Sequence, residues 1–448
     1  MQLRKRNLFD VLETLDDLKA KTDNTDVVAK NILVRVDFNV PMNASDGSIT
    51  DDSRIRGALP TIKAIMHSKN NAILVSHMGR PKLVQKAGNN LNDDPATMAQ
   101  RSELSLRPVA ARLSGLLETA VIFGDDCLGD SAKEAIDALP TTGGGICLLE
   151  NLRFYPQEEA NDTAFSQKLA SYADAYINDA FGTCHRAHAS TAGIPASFAD
   201  SKQDLCGIGS LVASELNFLD FSRSHESDKI AAVIGGSKVS TKLPVIRGLL
   251  QQVDTLILGG GLAFTFLKAQ GVAVGNSLVE ESMLDTALEL IQEAKEQGKT
   301  LVIPVDAVCS QSFPQGAMKK EDTKTFDLVP GGGIDDGWMG LDVGPKTVAD
   351  IKSSLDGVSK IVMNGPMGVF EVVPFDEGTR GLVDVLTTLT ATKNCITVVG
   401  GGDSVAALEA FGKTDQVSYV STGGGATLEL LAGDLLPGVE AIANVENF

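Results

Sequence analysis

Short runs of β-branched and aliphatic residues alternate along the whole chain with longer stretches whose apolar residues recur every three or four positions. Strands this short and this uniformly apolar are buried on both faces, and strands separated by helices pair in parallel, with the helices as crossovers. The fold class is therefore α/β. In the first part of the chain the runs place strands at Ile32–Val36, Ala72–Val75, Ala120–Phe123, Gly145–Leu149 and Ala175–Asn178. In the second they fall at Ile230–Ile234, Thr255–Leu258, Thr300–Ile303, Lys360–Met363, Ile396–Val399 and Val417–Val420. Glu281–Gln297 carries the helical spacing, with Met283, Ala287, Leu290, Ile291 and Ala294 on one side.

A chain of 448 residues is long for one hydrophobic core, so two domains are expected. The helical pattern Leu211–Phe221 lies between the two strand sets and is the place for one domain to hand over to the next. The expected organisation is a first domain over 1–205, an interdomain helix over 206–222, a second domain over 223–425 and a tail over 426–448. The polar segment Lys82–Ser105, which contains QKAGNNLNDDP, reads as a mobile surface excursion.

No stretch approaches the roughly 18 uninterrupted apolar residues of a membrane helix. The basic start, Met1 to Asn7, meets Asp10, Glu13, Asp16 and Asp17 before any apolar run, so no export signal is read. Six scattered cysteines without a C-x-x-C pair suit a reducing compartment, and a cytoplasmic enzyme is expected. The net charge of −19 argues against nucleic-acid or anionic-membrane partners. That charge is uneven. Residues 1–205 hold 22 lysines and arginines against 27 acids, residues 206–448 hold 17 against 31, and four of the five histidines lie in the first part.

In open α/β sheets ligands bind where the carboxyl ends of the strands emerge. After the first-part strands come Asp37-Phe38-Asn39, then Ser76-His77-Met78-Gly79-Arg80, then Asn151-Leu152-Arg153, then Asp179 leading to His185-Arg186-Ala187-His188, with Arg54 a short loop beyond the first. A lone arginine after a strand is more often half of a surface ion pair, and a lone histidine is usually structural. Four strand ends delivering the same chemistry favour a pocket for a small, strongly negative ligand, because a guanidinium fork grips phosphate or carboxylate with two parallel hydrogen bonds. Asp37 and Asn39 are placed to hold hydroxyls.

After the second-part strands the residues change from cations to glycines: Gly235-Gly236-Ser237-Lys238, Gly259-Gly260-Gly261, Asn364-Gly365-Pro366, Gly400-Gly401-Gly402-Asp403-Ser404 and Gly423-Gly424-Gly425. Any one pair is explained by a tight turn. Five in one half of the chain suit a nucleotide, since such loops aim N–H groups at phosphate oxygens and open into helix N-termini. No G-x-x-x-x-G-K-[ST] loop, dinucleotide fingerprint or protein-kinase catalytic loop is present. Two other classes stay open on the residues alone: an NAD(P)-dependent two-domain dehydrogenase and a non-catalytic binder of a phosphorylated metabolite.

RVDFNVP (35–41), SHMGRP (76–81), LLENLRF (148–154), INDAFGTCHRAHAS (177–190), GGSKVSTK (235–242), NGPMGVFE (364–371), GGGDS (400–404) and STGGGATLELL (421–431) resemble the motifs of the phosphoglycerate kinase family, in its order and over the full chain. The resemblance implies two Rossmann-like domains, each a parallel β-sheet flanked by helices, facing across a hinged cleft. It implies 3-phosphoglycerate on Asp37, Phe38, Asn39, Arg54, His77, Met78, Gly79, Arg80, Arg153 and Arg186, with His188 nearby. It places ATP or ADP on Gly236, Lys238, Lys242, Asn364, Glu371, Gly401, Gly402, Asp403 and Ser404, with Asp403 as the Mg²⁺ ligand.

The implied reaction is reversible phosphoryl transfer between ATP and the carboxylate of 3-phosphoglycerate, with Arg54, Lys238 and the Gly401-Gly402 N–H groups meeting the charge of the moving group. A monomer is implied, with a C-terminal tail returning to the first domain and a cleft that closes when both ligands are bound, the 211–221 helix acting as hinge. The chain departs from the family's usual residues at Met363, Met367, Cys184 and Tyr419, none of which removes a charged group from the implied site.

Overall fold

The computed structural model describes residues 5–20, 29–43, 45–81, 99, 101–198, 203–219, 221 and 228–442. Most of the Lys82–Ser105 excursion lies outside them. The chain divides into two compact units, 1–217 with 435–448, and 218–434. The division falls inside the helix Ser210–Leu219, within the interdomain segment 206–222. The stretch up to Asp434 stays with the second unit because the helix Gly425–Ala432 lies along the helix Val239–Leu250, where Gln252 Nε2 donates to Leu431 O at 3.1 Å.

The first unit holds β1 (Asn31–Val36), β2 (Asn71–Val75), β3 (Ile122–Gly124), β4 (Ile146–Leu149), β5 (Ala175–Asp179) and β6 (Cys206–Ile208). They form one sheet in the order β3-β4-β2-β1-β5-β6, parallel throughout. Ile32, Val34 and Val36 enter one core layer together with Ile55, Ile62 and Ile65 of the helix Ser53–His67. The chain runs from β1 outward to β2 and later returns to the other side of β1 with β5. That reversal opens a crevice at the strands' carboxyl ends.

The second unit contains β7 (Ile230–Ile234), β8 (Thr255–Leu258), β9 (Ala273–Val274), β10 (Thr300–Val302), β11 (Asp306–Ser310), β12 (Lys324–Asp327), β13 (Gly333–Ile334), β14 (Met339–Val343), β15 (Lys360–Asn364), β16 (Ile396–Gly400) and β17 (Tyr419–Val420). Its main sheet is parallel in the order β10-β8-β7-β15-β16-β17, with the reversal between β7 and β15. The parallel α/β expectation holds for both main sheets. Two smaller sheets had no counterpart in it: an antiparallel β12-β11-β14 and a β13-β9 pair.

Asp179, at the end of β5, is fully buried and caps the helix Ser210–Leu219, its Oδ1 accepting from Leu211 N at 2.8 Å and Val212 N at 3.4 Å. Burial pushes its carboxyl up to about 6, against the hydrogen bonds from Thr61, Leu211 and Val212. An unfolded aspartate ionises near ~3.9. The folded state therefore keeps a proton that the unfolded state loses, so the contribution to stability is full below pH ~4 and fades as pH rises to about 6, by ~3 kcal/mol. Asp179→Asn, which cannot ionise, is expected to gain on the wild type in urea denaturation across that window. A stability difference that stays constant between pH 4 and pH 7 contradicts it.

All six cysteines are buried and free. Burial pushes the Cys147, Cys184, Cys206 and Cys309 thiols up to about 12. Cys184 Sγ lies 3.6 Å from Asn178 Nδ2, so at neutral pH it is an inert packing group.

Candidate active site

The rim of the first sheet is assembled around Asp37. Its Oδ2 accepts from Arg54 NH1 at 2.9 Å, and its Oδ1 lies 3.9 Å from His77 Nδ1. Arg54 stands in the first turn of the helix Ser53–His67, where a cation opposes the helix dipole. An arginine kept there points to a role other than helix stability. Asn39 Oδ1 accepts from Gly79 N at 2.9 Å, and Gly79 O accepts from Arg153 NH1 at 2.6 Å, so the ends of β1, β2 and β4 are laced together. Asn151 clamps the same turn, accepting from Met78 N at 3.1 Å and donating to Met78 O at 2.8 Å.

Arg80 is exposed and, among the described residues, makes no ion pair; Arg186 is half-buried and donates through Nε to the neutral ring of His185 at 3.1 Å. Phe38 and Met78, expected on this rim, turn their side chains into the core, and their N–H groups are taken by Ser76 Oγ and Asn151 Oδ1. Those two residues shape the loops without presenting a group of their own.

Both site histidines are neutral. Burial, then Arg35, Arg153, Arg54 and His188, hold His77 well below the usual imidazole range. Burial, then Arg153, push His188 down to about 4. A ring surrounded by guanidinium groups gains nothing by adding a proton.

The second rim is built by backbone contact. Gly235 N donates to Asn364 O at 3.0 Å, and a Cβ on Gly235 would lie 2.1 Å from Pro366 O, so only glycine lets the loops after β7 and β15 meet. Gly260 N reaches Met367 O at 3.0 Å, and Gly365 N donates to Ser404 Oγ at 2.6 Å. Gly401, at φ +88°, turns the chain from β16 into the helix Gly402–Ala410, whose N-terminus has no side-chain cap. Facing this turn is Asn364, 2% exposed, with Oδ1 taking the Lys242 ammonium at 2.7 Å and Nδ2 without a hydrogen-bond partner among the described residues. A Cβ on Gly401 would lie 3.2 Å from that Nδ2. An open helix N-terminus beside an unspent amide donor and a lysine is an anion site. Lys238, Gly402, Asp403 and Glu371 are exposed, and Lys242 is partly buried. Burial lowers the Lys242 ammonium, and the Asp403 carboxylate opposes that shift, which puts Asp403 within electrostatic reach of the same turn.

A family model described as phosphoglycerate kinase matches residues 22–434. The chain belongs to the phosphoglycerate kinase family. A phosphoglycerate kinase of Synechococcus sp. (strain JA-2-3B'a(2-13)) is 47% identical over 417 residues, covering 93% of this chain and 96% of the relative. The cytosolic phosphoglycerate kinase of Triticum aestivum is 46% identical, with the same coverage of each. Among solved structures, phosphoglycerate kinase from Coxiella burnetii superposes with a TM-score of 0.78 at 36% identity, covering 94% of this chain and 98% of that one. The dehydrogenase alternative finds no support.

The structure also brings to the rims residues that strand-end reading passed over. Arg35, fully buried beneath the first rim, donates to Ser190 Oγ at 2.9 Å and to His77 Nδ1 at 3.1 Å. Its signal was available: in a strand buried on both faces a charge must be paired. Leu278, 49% exposed, lies beside Gly261 on the second rim. A hollow of about 640 Å³ lies between the 47–52 loop and the helix Arg107–Leu117; its Asp52 is already paired with Arg56 and Arg112.

Proposed function

We propose that the first rim binds 3-phosphoglycerate, that the glycine rim binds ATP or ADP with Mg²⁺, and that a phosphoryl group passes reversibly between them: ATP and 3-phosphoglycerate give ADP and 1,3-bisphosphoglycerate. The observation that carries this reading is that Arg80 and Arg186, at the same sheet ends as the Arg54–Asp37 pair, are in no ion pair among the described residues, a rim with more cation than the fold consumes. Arg80, Arg153 and Arg186 take the phosphate and carboxylate, and Asp37 and Asn39 the hydroxyl.

On the other rim the phosphates lie against the Gly401-Gly402 turn, Asn364 Nδ2 and the Lys242 ammonium. Gly236 and Ser404 shape the loops, Glu371 holds the ribose, and Leu278 packs on the base. Among the described residues no three His, Cys, Asp or Glu side chains gather as a self-sufficient metal site. One exposed carboxylate, Asp403, beside a phosphate cradle is the donor set for a cation carried by the nucleotide, which suits Mg²⁺. When bound, Mg²⁺ neutralises charge on the phosphate oxygens.

The acceptor carboxylate is ionised at neutral pH, so no general base is needed, in agreement with two histidines that stay neutral. What remains is alignment and neutralisation of the charge on the three equatorial oxygens of the moving group. Arg54 supplies charge from the acid side, Lys238 from the nucleotide side, and the Gly401 and Gly402 N–H groups add fixed dipoles. The compartment proposed is the cytoplasm, in line with six unpaired thiols; no described helix is long and apolar enough to cross a membrane. A monomer is the proposed assembly.

ATP consumption measured with 3-phosphoglycerate present and absent tests the proposal. Consumption that needs 3-phosphoglycerate is expected; ATP turnover indifferent to it overturns the assignment of the first rim.

A further inference from the structure

Beneath the first rim a carboxylate is sealed away from water. Glu158 is fully buried and sits in the short helix Pro156–Glu159, in a stretch whose sequence reads as surface. Its Oε2 accepts from Ser190 N at 2.9 Å and its Oε1 from Ser190 Oγ at 2.5 Å. The direction of each bond is fixed by what the partners can do. Arg35 Nε only donates, so Ser190 Oγ accepts from it and spends its own proton on Glu158. Both Glu158 oxygens are thus occupied as acceptors, the arrangement of an ionised carboxylate opposite the buried Arg35 guanidinium. Burial pushes the Glu158 carboxyl up, and Arg35 and the two Ser190 bonds oppose that shift.

The same logic continues to the rim. Arg35 also donates to Val36 O and, through NH2, to His77 Nδ1 at 3.1 Å. A guanidinium cannot accept, so Nδ1 is the acceptor and the His77 proton resides on Nε2. The competing arrangement, with Nδ1 donating to Asp37, is ruled out by a separation of 3.9 Å.

We infer that Glu158 is a positioning residue: by anchoring Arg35 through Ser190 it holds His77 in the Nε2–H tautomer and in one orientation, and thereby sets how the rim receives 3-phosphoglycerate. The inference about substrate rests on the assignment of this rim to the acid; the inference about tautomer does not. Glu158 Oε1 lies 3.9 Å from His188 Nδ1, too far for a hydrogen bond, so the second site histidine is not held by this anchor.

The test uses the full chain with ¹⁵N-labelled histidine, His77 being assigned by its loss in His77→Gln. In the ligand-free wild type the ring ¹⁵N shifts are expected to report a single Nε2–H tautomer. Glu158→Gln keeps the shape but lacks one acceptor, and Ser190→Ala removes the bridge. Both are expected to give a mixed tautomer and a KM for 3-phosphoglycerate about tenfold higher, as the loss of a buried hydrogen-bonded partner implies, with KM for ATP unchanged. A His77 tautomer unchanged in both variants, or equal rises in the two KM values, overturns the proposal. Failure of the rim assignment looks different: saturating 3-phosphoglycerate would then leave the wild-type His77 resonances in place while the variants still alter the tautomer.

Discussion

Replacing Arg54 with alanine is expected to lower turnover by a factor on the order of 10²–10³, the usual consequence of losing one preorganised donor to the transition state. KM for ATP should stay near the wild-type value. The structure separates this effect from unfolding. The Arg54 side chain is 36% exposed and, among the described residues, its ion pair is to the buried Asp37, whose carboxylate loses a partner at a cost of about 1–3 kcal/mol. Removing a cation from the first turn of the helix Ser53–His67 relieves an unfavourable dipole interaction of roughly 0.3–1 kcal/mol. The two terms oppose each other only in part, so the melting temperature should fall by a few degrees, about 2–4 °C per kcal/mol, without unfolding the enzyme at assay temperature. Arg54→Lys keeps the charge without the planar fork and should recover only part of the rate. Steady-state kinetics beside a thermal melt decide the matter, and an alanine variant with turnover within about fivefold of wild type would remove Arg54 from the chemistry.

Much of this site was legible because parallel α/β architecture ties function to strand ends. Once Ile32–Val36 and Ile230–Ile234 are read as strands, Asp37 and Gly235 are at the ligand side by topology alone. What escaped is what depends on tertiary packing. The run KTFD at 324–327 alternates too briefly to declare a strand, and Cys206–Ile208 is three residues with a central glycine; each is a strand only because a neighbour supplies its hydrogen bonds. Glu158 stands among Gln157, Glu159, Asn161 and Asp162 and has the look of a solvated turn. Its burial follows from the packing of the 189–193 segment over it, which no local pattern encodes. Phe38 and Met78 fail in the opposite sense: position put them on the rim, but two apolar side chains beside a core find more burial inward than any anion could offer them.

Lys238→Ala is expected to match the Arg54 variant in size, on the order of 10²–10³ in turnover, for reasons that differ from those for its neighbour in the same motif. Lys242 is partly buried and committed, its ammonium 2.7 Å from Asn364 Oδ1, which suits a fixed grip on phosphates that do not move. Lys238 is exposed, sits at the N-cap of the helix Val239–Leu250 in extended conformation, and makes no ion pair within 4 Å among the described residues. The acid at hand, Glu280, is engaged by Ser240 instead, accepting from its N–H at 2.9 Å and its hydroxyl at 2.5 Å. A free cation on a flexible stem at the positive end of a helix is electrostatically misplaced unless an anion arrives. Its removal should therefore leave stability unchanged or slightly higher while the charge of the transferring group goes unmet. If, as proposed, the ground-state phosphates are held by Lys242, Asn364 and the Gly401 turn, KM for ATP should rise only a few-fold, and the loss should appear in kcat. Lys242→Ala should show the reverse balance, with nucleotide binding suffering first. Should Lys238→Ala raise KM for ATP in proportion to its loss of kcat/KM, with kcat intact, Lys238 is a binding group like Lys242 and the charge on the moving phosphoryl must be met by Arg54, the Gly401-Gly402 N–H groups and the bound cation.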